Sequence, residues 1–444
     1  MCLNTLKIWQ VLELAKDKKD INKAFLLMSV FIEDSIVLAL TYGLIAARGT
    51  RLGLQPWAAM LLGASLTILM GIVPPSDAFS AINLDVILFL ISLFTIASAL
   101  EVSGFLSYVA YRLVVSSKSS AELVSKIFLS SAVLSMFLTN DGVAGSMAPI
   151  IASMQKQVRF DAKPLLYSLA FGVTIGSVAL PIGNPQNLLI ALDSGIARPF
   201  IEFIIFLLPP TLINLVITTP ILIYMFRASK QSIKIEMVDP PSFDRRLTYA
   251  ALSALGVLMP LYILMDVIPM PTYITPVTVS LGAASLLYAY TEKRREVVMN
   301  LDWSTILFFI GLFIVSEGAL RSGVLYVIAS YLPSPTNLPG IFAAGILVSQ
   351  VISNVPMVAI YIPLMQRLGI GPGNLIDWVA LAASSTIAGN LTLIGAASNV
   401  IASESFERRS GRGFGFIEFL KYGVPVTIVN ALIYYLWLLL MQAI

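Results

Sequence analysis

Gly-Ser-Val-Ala-Leu-Pro-Ile-Gly-Asn-Pro-Gln-Asn, residues 176–187, interrupts an apolar stretch that runs from 165 to 192. A stretch of that length reads as a membrane helix, because about 20 apolar residues cross the hydrocarbon core. Pro181 and Pro185, however, remove two amide donors and crowd the preceding turn. Gly183 lets the chain leave helical geometry. The span is therefore expected to unwind at Gly183-Asn184-Pro185. Backbone freed at that depth is tolerated only where it is buried in protein or lines a cavity. A second copy, Gly-Asn-Leu-Thr-Leu-Ile-Gly-Ala-Ala-Ser-Asn, occupies residues 389–399 inside the apolar stretch 376–403. One deletion aligns Gly176 with Gly389, Gly183 with Gly395 and Asn187 with Asn399.

The surrounding composition fits a membrane setting. Of 444 residues, 57% are hydrophobic and only 12% are charged, about half the charge of a soluble domain. Lipid must solvate much of such a surface. The net charge of +3 carries no nucleic-acid signal. The chain has no histidine and one cysteine, Cys2. Histidine-dependent hydrolases, the usual zinc sites and thiolate cages are thereby excluded. We expect no enzyme activity and no cofactor. Residues 1–23 form a polar, lysine-rich tail without the pattern of a signal peptide. The remaining span-length stretches are 24–47, 57–73, 84–108, 201–226, 249–268, 273–290, 303–320 and 424–443. Glu33 and Asp34 interrupt the first of them.

Two apolar stretches are split by polar residues. Ile127–Leu138 and Val143–Met154 flank Thr139-Asn140-Asp141-Gly142, and Ile341–Ile352 and Met357–Met365 flank Ser353-Asn354-Val355-Pro356. An arm of 12 residues extends ~18 Å as helix, which reaches about mid-membrane. Both read as re-entrant hairpins, 127–154 and 341–365, with polar tips; the alternative is one kinked span each. The tips align, since Asn140 precedes Pro149, and Asn354 precedes Pro363, by nine residues. Phe89–Leu106 also matches Phe308–Leu325 at seven of 18 positions, Ser103-Gly104 and Ser322-Gly323 among them. Of 28 Lys and Arg, 20 fall on the side of segment 227–248 and three (Arg198, Arg321, Arg367) on the other. The five lysines of the tail depart from this positive-inside bias. Residues 227–248 are therefore expected to be a cytoplasmic linker between a first repeat, 24–226, and a second, 249–444. The two repeats start on opposite sides, the sign of an inverted-topology repeat. The expected fold is all-α and polytopic, with about ten transmembrane helices plus two re-entrant hairpins, and with 165–192 and 376–403 broken.

The polar breaks supply the candidate site. Thr139, Asn140, Asp141, Ser353, Asn354 and Pro356 come from the tips. Gly183, Asn184, Pro185, Gln186 and Asn187 come from one broken helix, and Gly389, Asn390, Thr392, Gly395, Ser398 and Asn399 from the other. Freed carbonyls coordinate cations, and half-helix N-termini attract anions. A coupling ion, Na⁺ or H⁺, is expected at the first half-site. Na⁺ would be held by Thr139, Asn140 and Gly183 near Asp141, an intramembrane acid, and the substrate would lie between the tips. Asp141 can alternatively cap its own tip. Glu317 and Arg321 read as an i,i+4 pair.

Five stretches carry a family resemblance: LTNDGVAGSMAPI (138–150), IGNPQNLLI (182–190), LDWSTILFFIGLFIV (301–315), ISNVPMVAIYIPLM (352–365) and GNLTLIGAASNVIASE (389–404). Together they resemble the ion transporter superfamily, specifically the arsenical-pump membrane subunit and NhaD-like permeases with their citrate-transporter-like domain. The resemblance implies a multi-pass protein of the cell membrane and a homodimer. It also implies a scaffold domain and a transport domain that moves as an elevator. The activity implied is ion-coupled transport of a small inorganic or organic anion or of arsenite or antimonite. Na⁺/H⁺ antiport is the alternative. A peripheral ATPase partner is implied only for an arsenical-pump subunit. A channel would need a continuous polar path, and the charge-poor spans offer none.

Overall fold

The computed structural model describes residues 21–46, 54–153, 161–228, 239–331, 333–410 and 413–443. The N-terminal tail up to residue 20, Met154 at the end of the first hairpin stretch, and 229–238 of the linker lie outside the described residues. The described chain is helical, with no β-strand. It begins with α1 (Ile21–Ala46), α2 (Pro56–Leu69), α3 (Pro75–Ser80), α4 (Leu84–Val102), α5 (Phe105–Val115), α6 (Ser120–Phe137) and α7 (Asn140–Ser153). Next come α8 (Ala162–Gly176), a 3₁₀ turn (Pro181–Gly183), α9 (Pro185–Asp193), α10 (Pro199–Met225), α11 (Arg245–Val267), α12 (Pro276–Tyr290) and α13 (Arg294–Met299). The chain continues through α14 (Trp303–Ser322), α15 (Val324–Tyr331), α16 (Leu338–Ile352) and α17 (Asn354–Arg367). It ends with α18 (Leu375–Ile387), a 3₁₀ turn (Ala388–Asn390), α19 (Ala397–Ser410) and α20 (Phe416–Ala443).

Among the described residues, α1, α4, α6, α10, α11, α14 and α20 are long and apolar enough to cross a membrane. The protein is therefore a multi-pass membrane protein. The shorter α2 and α12 cover two more of the stretches read as spans, and the stretches 165–192 and 376–403 each form two helices with a break between. Helix α6 has 18 residues, longer than the 12-residue arm read from hydropathy. Ser119 caps Glu122 N–H, and Lys126 pairs with Glu122 at 2.8 Å. A polar first turn thus extends the helix below its apolar part.

The chain divides into two compact units. The first holds residues up to 87, 302–336 and 359–369. In it, α2 packs along α14 and α1 packs against both. Gly311 allows this approach, since a Cβ there would stand 2.9 Å from the Met60 carbonyl oxygen. The second unit holds 88–301, 337–358 and 370 onward. Here α6 lies along α8, α7 against α19, α16 along α18, and α20 against α10 and α18. A Cβ on Gly176 of α8 would collide with the Ala132 carbonyl of α6, and one on Gly345 of α16 with Ser384 of α18.

Both halves use the same local devices. Asn83 accepts Val86 N–H and Asp302 accepts Thr305 N–H at the starts of α4 and α14. Each of these helices ends at a Ser-Gly pair whose glycine, Gly104 (φ 78°) or Gly323 (φ 85°), is left-handed, a backbone that only glycine adopts cheaply. The two last helices of the halves add a repeat that hydropathy did not reveal. Residues 200–222 and 416–438 match at nine of 23 positions, starting with Phe-Ile-Glu-Phe in both. Asn430 Nδ2 donates to Asn214 Oδ1 at 2.8 Å and to Thr218 Oγ1 at 3.0 Å. Asn214 thus bonds its own counterpart, as residues do on a local two-fold axis.

Gly176→Ala should destabilise the protein by about 1–3 kcal/mol, because the new methyl meets backbone. Gly256→Ala, whose Cβ has no atom within 4 Å, should leave thermal unfolding in detergent unchanged.

Candidate polar site at the paired helix breaks

In the first break, α8 ends at Gly176, seven residues before the Gly183 at which the sequence pointed to unwinding. Pro181 accounts for the shift, since its ring conflicts with the carbonyl four residues earlier, that of Ser177. The chain then makes tight turns, with Val178 N–H to Ile175 O and Ala179 N–H to Gly176 O. It re-enters helix at Pro185, a half-buried first residue. Asn184 caps α9 by accepting Asn187 N–H at 2.8 Å. Its own amide donates to Ser177 O (3.0 Å) and to Thr386 Oγ1 (3.1 Å). Asn187 Nδ2 reaches back to Ser177 O (3.1 Å) and Val178 O (3.3 Å). Thr386, from α18, donates to Asn187 Oδ1 at 3.1 Å and accepts from Gln186 Nε2 at 3.4 Å. That hydroxyl is saturated, and this break is satisfied by its own asparagines together with Thr386 of α18.

The second break uses the aligned asparagine in the same way. Asn399 Nδ2 donates to Gly389 O (2.7 Å) and Thr392 O (3.1 Å). Gln350 of α16 donates to Ala388 O at 2.9 Å and accepts Thr392 Oγ1–H at 2.8 Å. Gly395 turns where a Cβ would stand 2.9 Å from Gly389 O. Gly423 of α20 lies against the Asn390 carbonyl, where a side chain would collide. A Cβ on Gly389 would stand 3.3 Å from Thr174 Cγ2 and 3.7 Å from Asn354 Nδ2. This places Gly389 beside residues of both halves.

The second break differs from the first in what it leaves open. Asn354 Oδ1, both side-chain polar atoms of Asn390, Ser398 Oγ and Asn399 Oδ1 have no hydrogen-bond partner. Their residues are at most 7% exposed. Each such group costs about 1–3 kcal/mol unless a partner is supplied. They offer donors and acceptors without charge, near the start of α19, where free N–H groups favour negative or electron-rich atoms.

The tips are more local. Thr139 Oγ1 accepts Gly142 N–H at 3.3 Å and Asn140 Oδ1 accepts Asp141 N–H at 3.0 Å, so both help to start α7. Asp141 is half-buried there. Ser353 connects α16 to α17 with φ 75°, a strained value for a residue with a Cβ. Pro356 is buried in the first turn of α17. Thr386, Gln350, Ser177 and Thr174 join the site without having been singled out in the sequence. Their signal was weak, a hydroxyl or amide in a helix without other distinction. Among the described residues no cluster of three Asp, Glu or Cys is placed to hold a metal. A cation here would rely on carbonyl, amide and hydroxyl oxygens.

The all-helical, multi-pass fold with paired polar breaks agrees with a membrane transporter, and similarity to known proteins gives the family. The chain belongs to the citrate transporter family (CitMHS), whose model matches residues 42–382. It is 29% identical to a "46 kDa membrane protein" of Mycobacterium leprae, covering 90% of this chain and 97% of that one. It is 24% identical to "Putative transporter arsB" of Dictyostelium discoideum, over 84% and 85% of the two chains. It is 25% identical to the rice (Oryza sativa subsp. japonica) "Silicon efflux transporter LSI3", over 84% and 90%. The fold resembles that of the Alcanivorax borkumensis YdaH transporter, with TM-score 0.53 and 14% identity over 84% of this chain and 87% of that chain.

Asn187→Ala should lower stability by about 1–3 kcal/mol, because it leaves Ser177, Val178 and Thr386 short of partners. Asn390→Ala and Ser398→Ala remove groups without protein partners, so the melting temperature in detergent should hold or rise.

Proposed function

We propose that this protein is an ion-coupled secondary transporter for a small, oxygen-rich solute: an inorganic or organic anion, or arsenite or antimonite. The observation that carries this reading is the asymmetry between the breaks. The first is satisfied by protein groups, whereas the second holds uncharged donors and acceptors that await a partner. Such a set suits a solute presenting both hydroxyls and oxygens, and it lacks the thiolates that would capture arsenic covalently. Relatives named for silicon efflux and as putative arsB support this solute class. Coupling by Na⁺ or H⁺ is proposed at Thr139, Asn140 and Gly183, near Asp141.

The mechanism we propose is elevator-type alternating access. The halves 24–226 and 249–444 act as inverted repeats, with 127–154 and 341–365 as re-entrant hairpins. The duplicated helix ends, breaks and last helices support that duplication. A homodimer is the proposed assembly, and an ATPase partner enters only if the substrate is an arsenical.

Proteoliposomes given arsenite, sulfate, citrate, dicarboxylates and Na⁺ under imposed Na⁺ and pH gradients test the reading. Saturable flux that is stimulated by substrate on the opposite side is expected for at least one solute. Asn354→Ala and Asn390→Ala should reduce it at least ~10-fold, about 1.4 kcal/mol of binding. Undiminished flux in both variants would place the substrate elsewhere. Flux that does not saturate would indicate a channel, and exchange of Na⁺ for H⁺ alone an antiporter.

A further inference from the structure

The first unit contains a buried acid that the paired breaks do not use. Asp34 lies midway along α1, within the apolar window Met28–Ile45, and is 0% exposed. Its Oδ2 is 2.6 Å from Ser322 Oγ at the end of α14, and its Oδ1 has no hydrogen-bond partner. Gly318 makes room for the carboxyl, since a Cβ there would stand 3.1 Å from Oδ1 and 2.9 Å from Thr67 Cγ2. Thr67 turns a methyl toward this space and its hydroxyl to Gly63 O. Thr41 likewise bonds Val37 O.

Among the described side chains, no cation is placed to balance a negative charge at Asp34. The titratable groups on the elements packed around it are few. Helix α1 itself carries Glu33, Tyr42 and Lys23, the last eleven residues before Asp34 and so ~16 Å away along the helix axis; α2 has none, and α15 has Tyr326 and Tyr331. Helix α14 carries Glu317 and Arg321, and Arg321 is committed to Glu317 (2.5 Å) and to Asp77 of α3 (2.6 Å). An unpaired carboxylate away from water neutralises rather than stay charged. A metal cation is a poor neutraliser here, because hard divalent cations take six or more oxygen ligands, and Thr67 turns a methyl rather than its hydroxyl toward this space.

The sequence repeat supplies an independent indication. Ser322 aligns with Ser103, and each precedes a left-handed glycine. Ser103 Oγ bonds Leu100 O at 2.7 Å, accepts Phe105 N–H at 3.2 Å and lies 3.0 Å from the Thr248 hydroxyl, which also donates to Asp244 O at 2.7 Å. Thr248 belongs to α11, the first helix of the second half. Ser322 Oγ is correspondingly placed, 3.4 Å from Ala319 O and accepting Val324 N–H at 3.2 Å. Its third partner is Asp34, on the first helix of the first half. The acid therefore stands where the other half has a neutral hydroxyl.

We propose that Asp34 is a proton-binding site, its neutral carboxyl donating to Ser322 Oγ while Ser322 turns its own hydroxyl toward Ala319 O. Loss of the proton reverses the Ser322 hydroxyl, which must then donate to the carboxylate. The switch acts at the Ser322-Gly323 joint between α14 and α15. It does not depend on the solute reading of the paired breaks.

The test uses the purified full chain in detergent or nanodiscs. The fold would hold a proton that the unfolded chain releases above acidic pH, so this contribution to stability falls as pH rises. Infrared spectra near neutral pH should show the carbonyl stretch of a protonated carboxylic acid. Asp34→Asn, which keeps a neutral donor, should lose that band, and Ser322→Ala should shift it. Between mildly acidic and alkaline pH, the wild type should lose about 2 °C or more of melting temperature relative to Asp34→Asn. Absence of the band in the wild type, or its persistence in Asp34→Asn, overturns the proposal even if the variants are poorly stable. So does stabilisation of the wild type by Na⁺ that Asp34→Asn lacks, which would make the site one for a metal cation.

Discussion

A chain that breaks a helix inside a membrane must find new partners for every backbone group it frees, because hydrocarbon offers none. Here one side chain per break meets most of that demand. Asn187 spans from the first turn of α9 to the carbonyls of Ser177 and Val178, just beyond α8, and Asn399 spans from the start of α19 to Gly389 and Thr392. An asparagine amide suits the task, since its two N–H donors reach two carbonyls without bringing charge into the membrane. The glycines answer the same constraint sterically. Gly176, Gly395 and Gly423 stand where any side chain would meet a carbonyl, so the polar backbone of each break is sealed by close packing.

Once both breaks are held in this way, their difference acquires meaning. Thr386 crosses from the second half to complete the first break. The reciprocal arrangement is not built, since Thr174 brings a methyl group toward Gly389. Of two similar breaks, one is thus closed by protein partners and the other keeps open hydrogen-bonding capacity. A transporter needs both properties, a frame that holds the chain open and a surface incomplete without its solute.

Much of this was legible in the sequence, because the decisive residues are conspicuous against an apolar background. Asn187 and Asn399 could be aligned through glycines, and Asn140 and Asn354 through their spacing to proline. What escaped was of two kinds. Boundaries moved where a distant cause acted, as when Pro181 ended α8 at Gly176 or a Glu122–Lys126 turn lengthened α6. Partners such as Thr386 and Gln350 carried no local signal, because their importance comes from which helix lies opposite. The match of α10 with α20 was present in the sequence but hidden by uniform hydrophobicity. It became plain only when Asn214 and Asn430 were found bonded to each other.

The central claim is that the second break, and not the first, completes its hydrogen bonding with solute. Hydrogen exchange measured by mass spectrometry, with and without a solute that supports flux, tests it directly. The account predicts added protection of amides in 388–399 and in the peptide containing Asn354, with 176–187 unchanged. Protection confined to 176–187, or none at either break under saturating solute, would contradict it.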